Sequence, residues 1–239
     1  MGVSTKMVNT GLVWFDTDCL ARWLDAKGGN VVTYVPDNGL PGDNASVAYS
    51  WIVTKTGASS MLNALTAGDL FKLATAATEY SAVQAQVQGS NFIVAANKPM
   101  YFGAEVTLDS TNLSDFLVGM VVPKVDPLKV ATTHGITATG VEGFFFFHAT
   151  AATAITAKVY VAGAEVGTKT LTPVMDTAVH FYEWYYDGSL LYAYFDNVLV
   201  ATFAPSYPTA ALTPSISVVA GSAVIRTANV KSLRAIQSR

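Results

Sequence analysis

The residues that could do chemistry in this 239-residue chain are few and scattered. Two carboxylates a few ångströms apart, one an acid and one a nucleophile or base, would cleave a glycosidic bond. A strand delivers such a set through alternate positions, as in E-x-D-x-E, and no such triplet occurs. Glu105 and Asp109 stand apart, and Glu183 and Asp187 run from an aromatic stretch into a turn. His134, His148 and His180 never fall at metal-ligand intervals, and Cys19 is the single cysteine. Neither a zinc site nor a thiol nucleophile is expected. No G-x-S-x-G elbow occurs. Gly163–Thr170 (GAEVGTKT) has three residues between its glycines, where a phosphate loop has four, and it sits between strands with no helix behind it. It reads as a hairpin connection. Asp187, Asp196 and Asn197 offer hard oxygens of the kind calcium takes, but turn chemistry accounts for all three. The expectation is a chain with no catalytic residues, metal or cofactor, and not an enzyme.

The elements that would position any site are strands. In His180–Tyr186 the side chains of Tyr182, Trp184 and Tyr186 share one face. Asp187-Gly188 then reads as a tight hairpin turn, Leu190–Phe195 returns, Asp196-Asn197 turns again, and Val198–Phe203 completes a meander. Further strands are expected at 47–53, 70–73, 82–88, 91–95, 100–108, 116–122, 143–148, 157–162, 168–171, 215–220 and 223–233, with a loop at 126–133. Leu12, Phe15, Cys19, Leu20 and Trp23 fall at helical spacing, although Trp14-Phe15 could equally begin a strand. The expected fold is all-β, an antiparallel β-sandwich over residues 61–239 preceded by an irregular N-terminal arm or small subdomain over 1–60.

Only 13% of the residues are charged, against about 25% in an average domain, so much of the surface is expected to be covered by other subunits. Net charge is −3 and there is no Lys/Arg run, which argues against nucleic acid as a partner. The N-terminus lacks an apolar leader, and apolar runs such as Gly143–Phe147 are too short to span a bilayer, so no membrane is expected and synthesis in a reducing cytoplasm is.

Two stretches carry a resemblance. Glu183–Gly188 followed by Leu191–Thr202 (LYAYFDNVLVAT) resembles the late meander of concanavalin A-like, laminin G-like jelly rolls, with Asn197 where a glycine is usual. Phe92–Ala95, Lys98–Val106 (KPMYFGAEV) and Ser114–Met120 (SDFLVGM) are similar to a motif of tailed-phage capsid decoration proteins with this fold, with Gly103 where that group usually carries Glu. The resemblance covers residues 65–236. It implies a cement protein on the outer capsid surface of a virion, made in the host cytoplasm, a homotrimer that bridges and stabilises major capsid protein subunits. Trp14, Phe15 and Trp23 would then supply aromatic anchors for capsid or subunit contacts, or fill the arm's own small core. The alternative is a carbohydrate-binding, lectin-like module of a phage tail fibre or spike used in host adhesion. Its platform would be Tyr182, Trp184 and Tyr186 together with Tyr192 and Tyr194, unless these rings form the sandwich core instead.

Overall fold

The computed structural model describes residues 3–8, 11–16, 51–63, 69–88, 92–110, 114–128, 133–136, 139–174, 176–204 and 206–237. Among these there are sixteen strands and no helix. They are β1 (Val3–Val8), β2 (Gly11–Asp16), β3 (Trp51–Lys55), β4 (Ser60–Asn63), β5 (Phe71–Ala74), β6 (Ala82–Val87), β7 (Met100–Leu108), β8 (Ser114–Val121), β9 (Gly143–His148), β10 (Ala154–Val161), β11 (Ala164–Val174), β12 (His180–Tyr186), β13 (Leu191–Phe195), β14 (Val198–Phe203), β15 (Thr213–Ala220) and β16 (Thr227–Gln237). Two seven-stranded sheets form a sandwich. The first has the order β11-β10-β9-β8-β15-β6-β3 and the second β14-β13-β12-β7-β16-β5-β4, while β1 and β2 form a separate hairpin. Every described pairing is antiparallel.

The all-β antiparallel sandwich agrees with the sequence reading, and the structure alters or sharpens some of its details. The stretch 91–95 contributes only an isolated bridge, Phe92 to Leu212. The strand expected at 168–171 runs over the whole of β11. Trp14 and Phe15 lie in β2, so the strand option holds there, whereas Cys19, Leu20 and Trp23 fall outside the described residues. Sheet pairing also extends upstream of residue 61, because β3 is an edge strand of the first sheet.

One core fills the sandwich, and alternation along each strand decides what enters it. From the first sheet come Phe116, Val118 and Met120 of β8, Phe144 and Phe146 of β9, and Ile216 and Val218 of β15. From the second come Phe102 and Val106 of β7, Leu233 of β16, and Tyr182, Trp184 and Tyr186 of β12. The Phe146 ring lies 5.1 Å from Trp184 and 5.5 Å from Tyr182, and Phe144 lies 5.3 Å from Trp184, all tilted or edge-on. Such packing adds to the area these rings bury. Tyr182, Trp184 and Tyr186 are therefore not a glycan platform. All three are buried: Phe144 and Phe146 meet Tyr182 and Trp184 across the sheets, and Tyr186 packs edge-on against Tyr207 with ring centroids 5.3 Å apart.

The turns of the meander use two mechanisms. Asp196 and Asn197 both take positive φ (50° and 65°), which makes a two-residue turn whose twist suits a hairpin. Asn at the second position accepts this conformation as glycine would. The Asp187-Gly188 connection is longer than the tight turn expected. Gly188 has φ +100°, and Asp187 N donates to Leu190 O at 3.1 Å. The Asp187 Oδ1 accepts from Ser189 N and Leu190 N, both at 2.7 Å, and Oδ2 accepts from the Tyr192 hydroxyl at 2.9 Å. Burial pushes this carboxyl up, but those hydrogen bonds outweigh it and hold it below its ordinary value.

The outer face of the first sheet is covered by chain. Gln84 Nε2 donates to Val125 O at 3.0 Å, Gln86 Nε2 donates to Val122 O at 3.2 Å, and Lys124 N donates to Gln86 Oε1 at 2.8 Å. Ser217 Oγ donates to Asp126 Oδ1 at 3.2 Å. These bonds pin Val122–Asp126 to the sheet. Leu128 and Val141 close a second apolar cluster with Leu117, Val121, Phe145 and Phe147.

Phe146→Ala is expected to cost about 3–5 kcal/mol, read as a lower midpoint in denaturant unfolding, because the hole lies where four rings converge. The contribution of the Asp187 turn is complete above the ordinary carboxylate value near 4 and is lost as pH falls through the lower folded value. Tyr192→Phe is expected to move the Asp187 titration upward in a carboxyl NMR experiment. An unchanged midpoint would remove the hydroxyl from this account.

Candidate functional site

The opposite parity of the core strands makes the site. Because Tyr182, Trp184 and Tyr186 point inward, Phe181, Glu183 and Tyr185 of β12 point outward. On β13 the same rule turns Tyr192 and Tyr194 outward, with Leu191, Ala193 and Phe195 in the core. On β7 it turns out Tyr101, Gly103 and Glu105, and on β16 Ser232 and Arg234.

Strand register sets these side chains in transverse rows. Tyr101 of β7 pairs with Tyr185 of β12, which pairs with Tyr192 of β13. Three tyrosines therefore lie side by side over about 10 Å. The Tyr185 and Tyr192 rings are stacked, with centroids 5.9 Å apart and planes within 20°. The next row runs Arg234, Gly103, Glu183, Tyr194 and Leu199. The row beyond it holds Ser232, Glu105 and Phe181. Phe181, Tyr185, Tyr192 and Tyr194 are half-buried, whereas Tyr101 and Glu183 are buried.

Gly103 is where close approach matters. A Cβ there would fall 2.5 Å from the Tyr101 hydroxyl and 3.1 Å from the Phe181 ring. The sequence departs from the decoration-protein pattern at this position, and these two side chains occupy the space a glutamate would need.

Two carboxyl side chains belong to this face, Glu105 half-buried and Glu183 buried. Glu105 pairs with Phe181 and Glu183 with Gly103, so Glu105 and Glu183 are diagonal neighbours on adjacent strands with Cβ atoms about 7 Å apart. Arg234 stands across Gly103 on the third strand. The arrangement places a flat aromatic surface beside carboxylates and a guanidinium. Rings of this kind pack against the apolar faces of sugars, and the charged groups hydrogen-bond hydroxyls. The hydrogen bond to Asp187, and then burial, hold the Tyr192 phenol above its ordinary value, so it stays protonated at neutral pH.

Other titratable clusters are built differently. His180 Nδ1 faces Asp196 Oδ2 at 2.8 Å and Nε2 faces Asp176 Oδ1 at 3.0 Å, so both ring nitrogens are engaged by carboxylates. Asp115 is buried and accepts from Gly135 N and Thr150 N while facing His134 Nδ1 at 3.0 Å. The ring nitrogens of His148 face backbone carbonyls of Ser114 and Ala152. Asp187 and Asp196 sit at opposite ends of β13 and cannot share an ion. Among the described residues no group of three or more His, Cys, Asp or Glu could hold a metal.

The sequence reading named Tyr182, Trp184 and Tyr186 for a platform, and the structure puts all three in the core. Trp14 and Phe15 lie in β2, and Trp23 lies outside the described residues. The reading missed the Glu105–Glu183 pair, because strand adjacency is not visible in the spacing along one strand. It had weighed Tyr192 and Tyr194, which the structure turns outward. The available signal on β12 was Glu183 itself, a carboxylate sharing parity with Phe181 and Tyr185.

No protein-family model matches the sequence, and no curated protein matches it. Solved structures do share its fold. The carbohydrate recognition domain of Emp46p in its potassium-bound form superposes with a TM-score of 0.59 at 8% identity, over 84% of this chain and 95% of that one. A Bacillus licheniformis β-glucanase gives 0.59 at 12% identity, over 89% of this chain and 100% of that one. The transglycosylase Crh5 in complex with NAG gives 0.56 at 12% identity, over 88% of this chain and 86% of that one. These likenesses support the concanavalin A-like resemblance, and nothing in them points to a capsid decoration protein. They also overturn the expectation that the chain is not an enzyme. The fold is one that a glucanase and a transglycosylase share. The chain is an all-β sandwich of the concanavalin A-like jelly-roll class, the fold of these lectin-like domains and carbohydrate-active enzymes.

Proposed function

We propose that the chain is a carbohydrate-recognition module that binds oligosaccharides across the outer face of its second sheet. The carrying observation is the stacked Tyr185–Tyr192 pair on the outer face of the second sheet, half-buried rather than packed in the core. Tyr194 extends the aromatic surface, and the half-buried Glu105 and Arg234 supply hydrogen bonds to hydroxyls. The fold shared with carbohydrate recognition domains supports the same reading. The outer face of the first sheet is less suited, because Val122–Leu128 lies over it.

The test is a panel of immobilised neutral and uronate-containing oligosaccharides, followed by calorimetry on the best ligand. Tyr185→Ala and Tyr192→Ala are each expected to weaken binding by about 10-fold or more, the effect of truncating an anchoring aromatic. Tyr160→Ala, on β10 of the other sheet, is expected to leave affinity unchanged. Wild-type protein that binds no member of the panel, or binding indifferent to both tyrosines, overturns the proposal.

A further inference from the structure

The four outer edges of the two sheets are not equally protected. An edge strand leaves backbone N–H and C=O groups unpaired, and proteins blunt such edges with charge, proline, shortness or a bulge. Strand β4 has only four residues, and β3 ends on Lys55. Strand β11 contains Glu165, Lys169 and Pro173, and Glu165 is tied to Lys158 at 2.5 Å. Strand β14, with the sequence VLVATF, has neither charge nor proline. Among the described residues its one blunting device is the register shift opposite Tyr194.

The same flank is apolar. Val198 is 63% exposed and Leu199 50%, both on β14. Strand β11 lies alongside, where Gly167 leaves room for the Phe203 ring, and Val166 next to Gly167 is exposed. Val179, just ahead of β12, is exposed at the end of the sheet where β14 begins.

We propose that β14 is the docking edge for a second copy of this chain, with the two β14 strands pairing antiparallel about a twofold axis. Another extended backbone can continue the ladder of hydrogen bonds at this edge, and a second β14 is a strand of matching length. In-register twofold pairing sets Val198 against Phe203, Leu199 against Thr202 and Val200 against Ala201, so no charge meets its like and apolar side chains meet. The axis runs perpendicular to the joined sheet, so the outer faces of both copies point the same way. Resting on the glycan reading above, this would present two tyrosine faces to one multivalent surface.

The test is sedimentation velocity with light scattering on the full chain. A mass of about twice 25.3 kDa is expected. Val198→Lys and Leu199→Lys are expected to shift it to the monomer mass, with circular dichroism and melting unchanged. Val224→Lys, at an exposed valine between β15 and β16, is expected to stay dimeric. A monomeric wild type, a trimer, or a dimer that survives both lysines overturns the proposal. Tyr185→Ala is expected to remain dimeric, so failure of the glycan reading and failure of the dimer are seen separately.

Discussion

The packing of Tyr182 and Trp184 against Phe144 and Phe146 is the interaction on which the rest depends. Strand side chains alternate with period two, so fixing one parity inward fixes the other outward. A slip of one residue would turn Glu183 into the space between the sheets and Trp184 out of it, exchanging an apolar core for a charge inside it. The aromatic core therefore sets the register of β12, and β12 sets the registers of β7 and β13 on either side. The outer tyrosines and carboxylates are placed by the energetics of the inner face.

The two outer faces of the sandwich are put to different uses. Over the first sheet, Gln84, Gln86 and Ser217 are fully buried, yet they reach backbone or carboxylate partners in the segment laid across them. Buried polar side chains bonded in this way hold a segment in one position, because breaking a bond strands a polar atom away from water. The second sheet carries half-buried aromatics on its outer face instead. That asymmetry is what makes one face a cover for the fold and the other a candidate surface for a ligand.

Much of the fold was legible in the sequence, and for physical reasons. The Asp196-Asn197 turn, the alternation in β13 and the Pro- and Gly-bounded strands are local signals, and local structure follows them. Parity in β12 was not legible. His180–Tyr186 carries aromatics at both parities, and only the neighbouring sheet decides which set is inward. The carboxylate pair was not legible either. Glu105 and Glu183 lie on strands far apart in the chain, and their meeting is a consequence of sheet order. The decoration-protein resemblance rested on motifs that specify strands of the sandwich, and such motifs carry the fold without carrying a partner.

The central claim is that the parity of β12 and β13 makes an outward tyrosine surface that meets sugar. Its most direct test is NMR of protein labelled at tyrosine rings, titrated with the tightest-binding oligosaccharide of the panel. The account predicts that Tyr185, Tyr192 and Tyr194 resonances move together along one saturation curve while Tyr182 and Tyr186 stay in place. Saturable binding that leaves those three rings unmoved would contradict it.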